Sequence, residues 1–575
     1  MSQPLPPCDL IMKGGVTSGV VYPKMISRLA RDFQFKNIGG TSTGAIAAAA
    51  CAAAELGRQS GRNPSAFDTL AQLPEALGTD GRLLGLFQPA PAMRSHFRLA
   101  LDFMGHRSVP RALLRITPWL PWLATTLAGC AGLAWTLQGH HLPWLLLVLC
   151  LALATGLFAG ALAIGVWRFG KQLVAGLEDN FYGICSGLGQ DALTDWLDGY
   201  LNSLAGLDAT RPLIFRDLWG SGGEQDRNIN LEVVTSALSQ HASYAIPFRS
   251  GSGAFYFDPV AWRRLFPAPV IAWLMQQPNA DHGVPPGSHL VRLPGNADLP
   301  VIVAVRMSLA FPLLLSSVPL YAHDFTEKTA DGHATMKRIW FSDGGISSNL
   351  PLHFFDELLP EHPTFAINLK AAHPSHPIDD TQPCGSNNRV FLASNNHDGA
   401  SRYWAAPAGG LTGFIGSIVA TALRWRDESL FPYPGYRDRI VQVSLQDSEG
   451  GLHLAMSPAQ IAAMAAAGAC AGELLYRRFH PGAEGWPNHQ RVRLQSVLGN
   501  LELLAVRAAR AKPAGPWETA IDALQQTRYT HAQAALARHL LQELEEMGEA
   551  ALTSGAGLAQ AMYKPHPVLK LTPRA

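Results

Sequence analysis

Apolar and polar positions near the start of the chain fall into two strand-turn-helix units. Cys8 to Met12 is a short apolar run that predicts a strand. Lys13-Gly14-Gly15-Val16-Thr17-Ser18-Gly19 ends it, and the apolar spacing from Val20 to Ala30 predicts a helix. Phe33 to Ile38 predicts a second strand, Gly39-Gly40-Thr41-Ser42-Thr43-Gly44 a second tight turn, and the alanine-rich segment Ala45 to Leu56 a second helix. A unit that repeats in this way implies parallel strands. Far downstream, Arg338 to Phe341 predicts a strand leading into Ser342-Asp343-Gly344-Gly345, and near the C-terminus helical spacing recurs over Leu494 to Ala511 and Trp517 to Leu552. The plainest expectation for that tail is a helical cap or an oligomer contact.

A different pattern fills the interval from Arg115 to Arg168, which contains no Asp, Glu, Lys or Arg. It divides at Gln138-Gly139-His140-His141 into Trp119 to Leu137 and Pro143 to Trp167, each long enough at about 1.5 Å per residue to reach across the roughly 30 Å core of a bilayer. Trp119, Trp122, Trp135, Trp144 and Trp167 stand at the ends of the runs, where aromatic belts lie, and Arg107, Arg111, Arg115, Arg168 and Lys171 flank them. The expectation is a transmembrane hairpin with both flanks in the cytoplasm, against the alternative of a helical hairpin buried in a soluble core. Gly156 and Gly160 give the second helix a small-residue face, for the first helix or for a second subunit in a homo-oligomer. Gly165 to Gln172 comes close to a phosphate-binding loop, but it lacks the terminal Ser/Thr and follows a membrane run rather than a strand.

Composition narrows the class. The 575 residues allow three or four folding units, or one large domain with insertions. They are 47% hydrophobic and only 15% charged, which excludes a disordered chain. A formal net charge of +1 gives no field to draw the protein to nucleic acid. The seven cysteines are scattered, without C-x-x-C or zinc-type spacing, so reduced thiols in a cytosol, no metal and no cofactor are expected. The opening residues carry no secretory signal pattern.

Gly40-Thr41-Ser42-Thr43-Gly44 fits G-x-S-x-G, in which two glycines let a strained turn push a serine out at a helix N-terminus. Roughly 0.3 such matches arise by chance in a chain of this length, so the strand-turn-helix context carries the weight. An ordinary α/β-hydrolase places several strands before its serine, and 41 residues leave room for one strand-helix-strand unit. The glycine loop after the first strand, this elbow about 25 residues on, and the late Asp343-Gly344-Gly345 with Asn349-Leu350-Pro351 together resemble the patatin-like phospholipase family. Ile229 to Leu238 resembles the family's central strand, and Val303 to Leu313 its Arg-x-Ser-x-x-x-Pro helix.

The resemblance implies an α/β fold, a three-layer α/β/α sandwich with a mostly parallel central sheet, here with an inserted two-helix transmembrane hairpin and a helical C-terminal region. On that reading residues 8–115 and 172–445 form the hydrolase domain, 116–171 the hairpin and 446–575 the C-terminal region. It implies a Ser42–Asp343 dyad, an elbow shaped by Gly40 and Gly44, an Asp-Gly-Gly motif completed by Gly344 and Gly345, and an oxyanion loop of Gly14, Gly15 and Val16. The loop departs from the family pattern, since Lys13 stands in place of the first glycine and Thr17-Ser18 in place of a basic residue. His353 and His397 are the histidines weighed for a third catalytic role. The implied activity is a lipid acyl hydrolase at the cytoplasmic face of the inner membrane. The alternatives are a thioesterase or small-ester hydrolase, or a catalytically silent membrane scaffold on the same fold.

Overall fold

A computed structural model describes residues 4–566, except 105–141 (save 125, 128 and 129), 209, 250, 279–282, 285–286, 329–333, 374, 394–409, 513–514 and 556. In chain order the strands are β1 (Pro7–Met12), β2 (Gln34–Gly40), β3 (Gly183–Cys185), β4 (Asn230–Ala237), β5 (Ala242–Ile246), β6 (Tyr256–Phe257), β7 (Val291–Arg292), β8 (Leu313–Leu315), β9 (Val318–Lys328), β10 (Ala334–Asp343), β11 (Thr364–Ala371), β12 (Val390–Phe391) and β13 (Ile440–Leu445). Eleven of them form one sheet in the order β12-β13-β11-β1-β2-β4-β10-β9-β6-β7, with β5 also paired to β4, and β3 pairs with β8.

The expected parallel strands are there: β13, β11, β1, β2 and β4 run side by side in parallel. The sheet as a whole is mixed, which corrects the expectation of a mostly parallel one. β10 is antiparallel to both β4 and β9. β9 and β10 are close in sequence, and a short connection can join antiparallel neighbours but not parallel ones.

Register gathers three loops at one end of this sheet. Met12 pairs with Gly40, Gly40 with Val233, and Thr235 with Asp343. The glycine loop, the serine turn and the aspartate therefore start from adjoining positions. The helix Thr43–Ser60 that follows β2 buries Ala45, Ala47 to Ala50 and Ala52 to Ala54. Small side chains are required because it packs against β1, β2 and β4 and also against the helix Leu193–Ala205.

The helix Pro458–Phe479 contributes Ile461, Met464, Ala467, Ala471, Leu475 and Phe479 to the main core and packs on the helix Tyr22–Leu29. A Cβ at its Gly468 would lie 1.8 Å from Val21 O, so only glycine permits that approach. The segment after residue 446 is thus continuous with the main core at first. Beyond it, Gly485–Ala511 packs on His531–Ser554, and the second predicted helix is divided into Pro516–Thr527 and His531–Ser554.

Apart from residues 125, 128 and 129, Trp119–Leu137 lies outside the described residues, whereas Pro143–Trp167 lies within one helix, Leu142–Asp179, where Val148, Leu153, Leu157, Ile164 and Trp167 are exposed. Gly156 and Gly160 are exposed on the same helix. Leaving that helix aside, because several of its side chains are outside the described set, one helix among the described residues is long and apolar enough to cross a membrane. It is Pro458–Phe479, half buried in the core just described.

Two cysteines depart from the expected reduced state. Cys384 and Cys470 form a disulfide across 86 residues of chain, while Cys8, Cys51 and Cys185 are free and buried. It ties the segment before β12 to the core helix Pro458–Phe479. Replacing both with alanine is expected to lower stability by about 2–4 kcal/mol, read from denaturant unfolding under non-reducing conditions.

Candidate active site

Ser42 sits between β2 and the helix Thr43–Ser60 with φ 56° and ψ −127°, a conformation that non-glycine residues rarely adopt and that costs on the order of 1–3 kcal/mol. Its neighbours must be glycine for the turn to close. A Cβ on Gly44 would stand 2.3 Å from Met12 O, and one on Gly40 would stand 2.3 Å from Gly44 O. The Ser42 amide donates to Ser308 Oγ at 3.1 Å, so Ser308, at the end of the helix Val301–Ser308, holds the strained turn. Ser308→Ala would leave that buried amide unpaired. The expected result is a stability loss of about 1–3 kcal/mol in thermal unfolding.

Asp343 ends β10 and is buried. Its amide donates to Ala310 O at 2.9 Å, and its Oδ1 accepts from the Gly345 amide at 2.7 Å. Gly344 lies under the carbonyl of Val234, where a Cβ would come within 2.1 Å. Burial pushes the Asp343 carboxyl up to about 6, opposed by the nearby Ser42 hydroxyl and the Gly345 amide. Neither Ser42 Oγ nor Asp343 Oδ2 completes a well-aligned hydrogen bond with any group among the described residues. Buried polar atoms without a partner are uncommon, and one on each of these two residues marks them as a candidate reacting pair.

The glycine loop abuts this pair: a Cβ on Gly14 would lie 2.9 Å from Ser42 Cβ. Tyr22 Oη donates to Lys13 O at 2.5 Å, and Thr43 Oγ1 donates to Gly15 O. The Gly14 amide donates to Asn349 O at 3.0 Å and the Thr17 amide to Gly451 O at 3.1 Å. Gly14 is thus committed to holding the loop, which corrects its expected role as an oxyanion donor. Among the described residues, the Gly15 and Val16 amides donate to no protein group, and neither does the Thr43 amide at the start of its helix. Lys13 enters the loop through its backbone only. Its side chain is buried and donates to Asn368 Oδ1 at 2.7 Å, and burial lowers its pKa to about 8. A lysine replaces glycine here because the side chain has somewhere else to go.

His353, in the turn Leu352–Phe354, bonds to neither Ser42 nor Asp343, and burial lowers its imidazole to about 4. His397 lies outside the described residues. Sequence reasoning placed Ser308, Asn349 and Thr43 inside motifs without giving them a role, and each acts through a contact set by the fold. A narrow apolar cleft of about 80 Å³ opens beside the elbow, lined by Val16, Thr43, Ile46, Leu70, Leu77 and Leu309 among others.

Fold and site together define a mixed α/β protein with a strained serine elbow facing a buried aspartate. No family model matches the chain. It is 35% identical over an alignment of 649 positions to a protein of Rhizobium meliloti (strain 1021) named "RpoH suppressor", with 98% of each chain covered, and it belongs to that protein's family. Among solved structures, VipD from Legionella pneumophila aligns with 98% of this chain and 88% of its own at 13% identity and a TM-score of 0.29, too low to carry an argument.

Proposed function

We propose that the protein is a serine acyl hydrolase of the patatin-like kind, with a three-layer sandwich fold, that cleaves ester bonds of membrane lipids through Ser42 and Asp343. The observation that carries this reading is Ser42 on a left-handed backbone beside a buried carboxyl whose pKa is about 6. Above that pH the carboxylate accepts the Ser42 proton as Oγ attacks the ester carbonyl. The amides of Gly15, Val16 and Thr43 are the free donors for the negative charge that develops on the carbonyl oxygen. Collapse of the tetrahedral species expels the alcohol, which takes the proton from Asp343 and leaves an acyl-serine. Asp343 then deprotonates water, and its attack releases the fatty acid and returns the proton to Ser42.

The apolar cleft that begins at Val16 and Thr43 favours an acyl chain over a small polar ester. The exposed apolar side chains of Leu142–Asp179, with Lys171 stacked on Trp167 at 5.4 Å, favour the two-helix membrane anchor over residues 116–171. An enzyme held in the bilayer meets its substrate at high effective concentration.

The test is incubation of purified protein in mild detergent with mixed phospholipid vesicles, with products identified by mass. Release of fatty acid with the matching lysophospholipid is expected. Turnover of water-soluble esters without lipid cleavage would move the assignment to a small-ester hydrolase, and no turnover of either would remove it.

A further inference from the structure

The helix Gly410–Glu428 presents its bulky side chains outward. Leu411, Phe414, Ile415, Ile418 and Val419 are between 52% and 73% exposed, whereas the half-exposed positions are the small residues Gly413, Ser417 and Ala420. Those small residues recur at spacings of four and three, so they form one face, and the large apolar residues form the other. A water-soluble surface helix has the opposite arrangement. From Gly410 to Leu423 there is no charged residue, and Arg424, Trp425 and Arg426 then follow, all exposed. Fourteen uncharged residues extend roughly 21 Å at 1.5 Å per residue, short of the roughly 30 Å needed to span a bilayer core. An apolar face of this kind that ends in Arg-Trp-Arg suits an interfacial helix, with the indole at headgroup level and the guanidinium groups facing anionic phosphates.

The C-terminal end of this helix grips the active site. Asp427 is buried and accepts from Ser348 Oγ at 3.0 Å, the Asn349 amide at 2.7 Å and the Leu350 amide at 2.9 Å. Asn349 O in turn holds the Gly14 amide of the glycine loop. Leu430 and Phe431, just beyond the helix, pack on a small core that includes Ile11 and Leu350.

We infer that the helix Gly410–Glu428 is an arm that docks on a lipid surface containing anionic phospholipid, and that Asp427 fastens the glycine loop to it. Docking stands on the helix itself, whereas the consequence for catalysis rests on the hydrolase reading. Lipid contact at this helix would thereby bring substrate to the mouth of the site and steady the oxyanion donors in one event.

The test uses the full chain in nanodiscs of phosphatidylcholine and phosphatidylglycerol, with a nitroxide at Ile418→Cys and with Cys130→Ala and Cys150→Ala to limit labelling elsewhere. Collision with oxygen is expected to exceed collision with a water-soluble nickel chelate. Preference for nickel would place the helix in water, and exclusion of both would mean a contact with protein, from this chain or a second copy; either overturns the docking. Preference for oxygen together with no ester hydrolysis by the native chain would support the docking while the hydrolase reading failed. Asp427→Asn is expected to lower kcat on a water-soluble ester about 10-fold with KM little changed, as for a positioning residue. An unchanged kcat would overturn the fastening.

Discussion

Ser42→Ala is expected to lower ester hydrolysis by about 10⁴-fold or more, to the level set by the remaining binding groups. The size follows from chemistry, because no other hydroxyl can take the place of one held on this elbow. Ser42 is fixed by β2 behind it, by the helix ahead of it, and by Ser308 at its amide. The same variant is expected to keep its fold. Ser42 Oγ is buried without a hydrogen-bond partner among the described residues, so removing it discards an unsatisfied group and leaves stability unchanged or raised by about 1 kcal/mol. Ser42→Gly would in addition relieve the positive φ and is expected to be the more stable of the two. Thermal unfolding beside the rate measurement separates a lost nucleophile from a lost fold.

Asp343→Asn is expected to lower kcat by about 10²–10⁴-fold and to make the protein more stable at pH 8. Burial raises the native carboxyl from 3.8 to about 6. The folded state therefore holds a proton that the unfolded chain has already released. Stability from this group is fully present below about pH 4 and is lost as pH rises through about 6, a difference of roughly 3 kcal/mol at about 1.4 kcal/mol per pH unit. An asparagine carries no such charge, so the variant should exceed the native protein in Tm at pH 8 and approach it at pH 4. Catalysis runs the other way. The base must be ionised, so kcat/KM of the native chain should rise tenfold per pH unit up to about pH 6 and then level off. A calorimetric pair at the two pH values and one pH-rate profile check both signs.

The elements closest to the chemistry were legible because their signals are local. Glycines bracket Ser42, a strand precedes it and an alanine-rich helix follows, and each of these can be read within a few residues. Asp343 became legible only together with the glycine loop and the serine turn, since Asp-Gly-Gly alone is a common turn. What escaped reading depends on contacts between distant residues. Ser308 reaches the Ser42 amide across 266 residues, and Asn349 reaches Gly14 from the far side of the aspartate loop. The committed Gly14 amide and the free Thr43 amide follow from those contacts, and residue type does not distinguish them. The Cys384–Cys470 disulfide likewise has no local spacing to announce it. The antiparallel placement of β10 depends on β9, whose Val318–Lys328 mixes apolar and polar residues without strict alternation. Lys13 is the clearest case: as a letter it breaks the glycine pattern, and as a side chain it leaves the loop entirely for Asn368.

The central claim is that Ser42 is a nucleophile activated by Asp343. The most direct measurement is reaction of the native chain, Ser42→Ala and Asp343→Asn with a long-chain alkyl fluorophosphonate, followed by intact mass and peptide mapping. One adduct on Ser42 in the native chain is expected, none in Ser42→Ala, and slow labelling in Asp343→Asn. An adduct on another residue, or equal labelling of Ser42 with and without the aspartate, would contradict it.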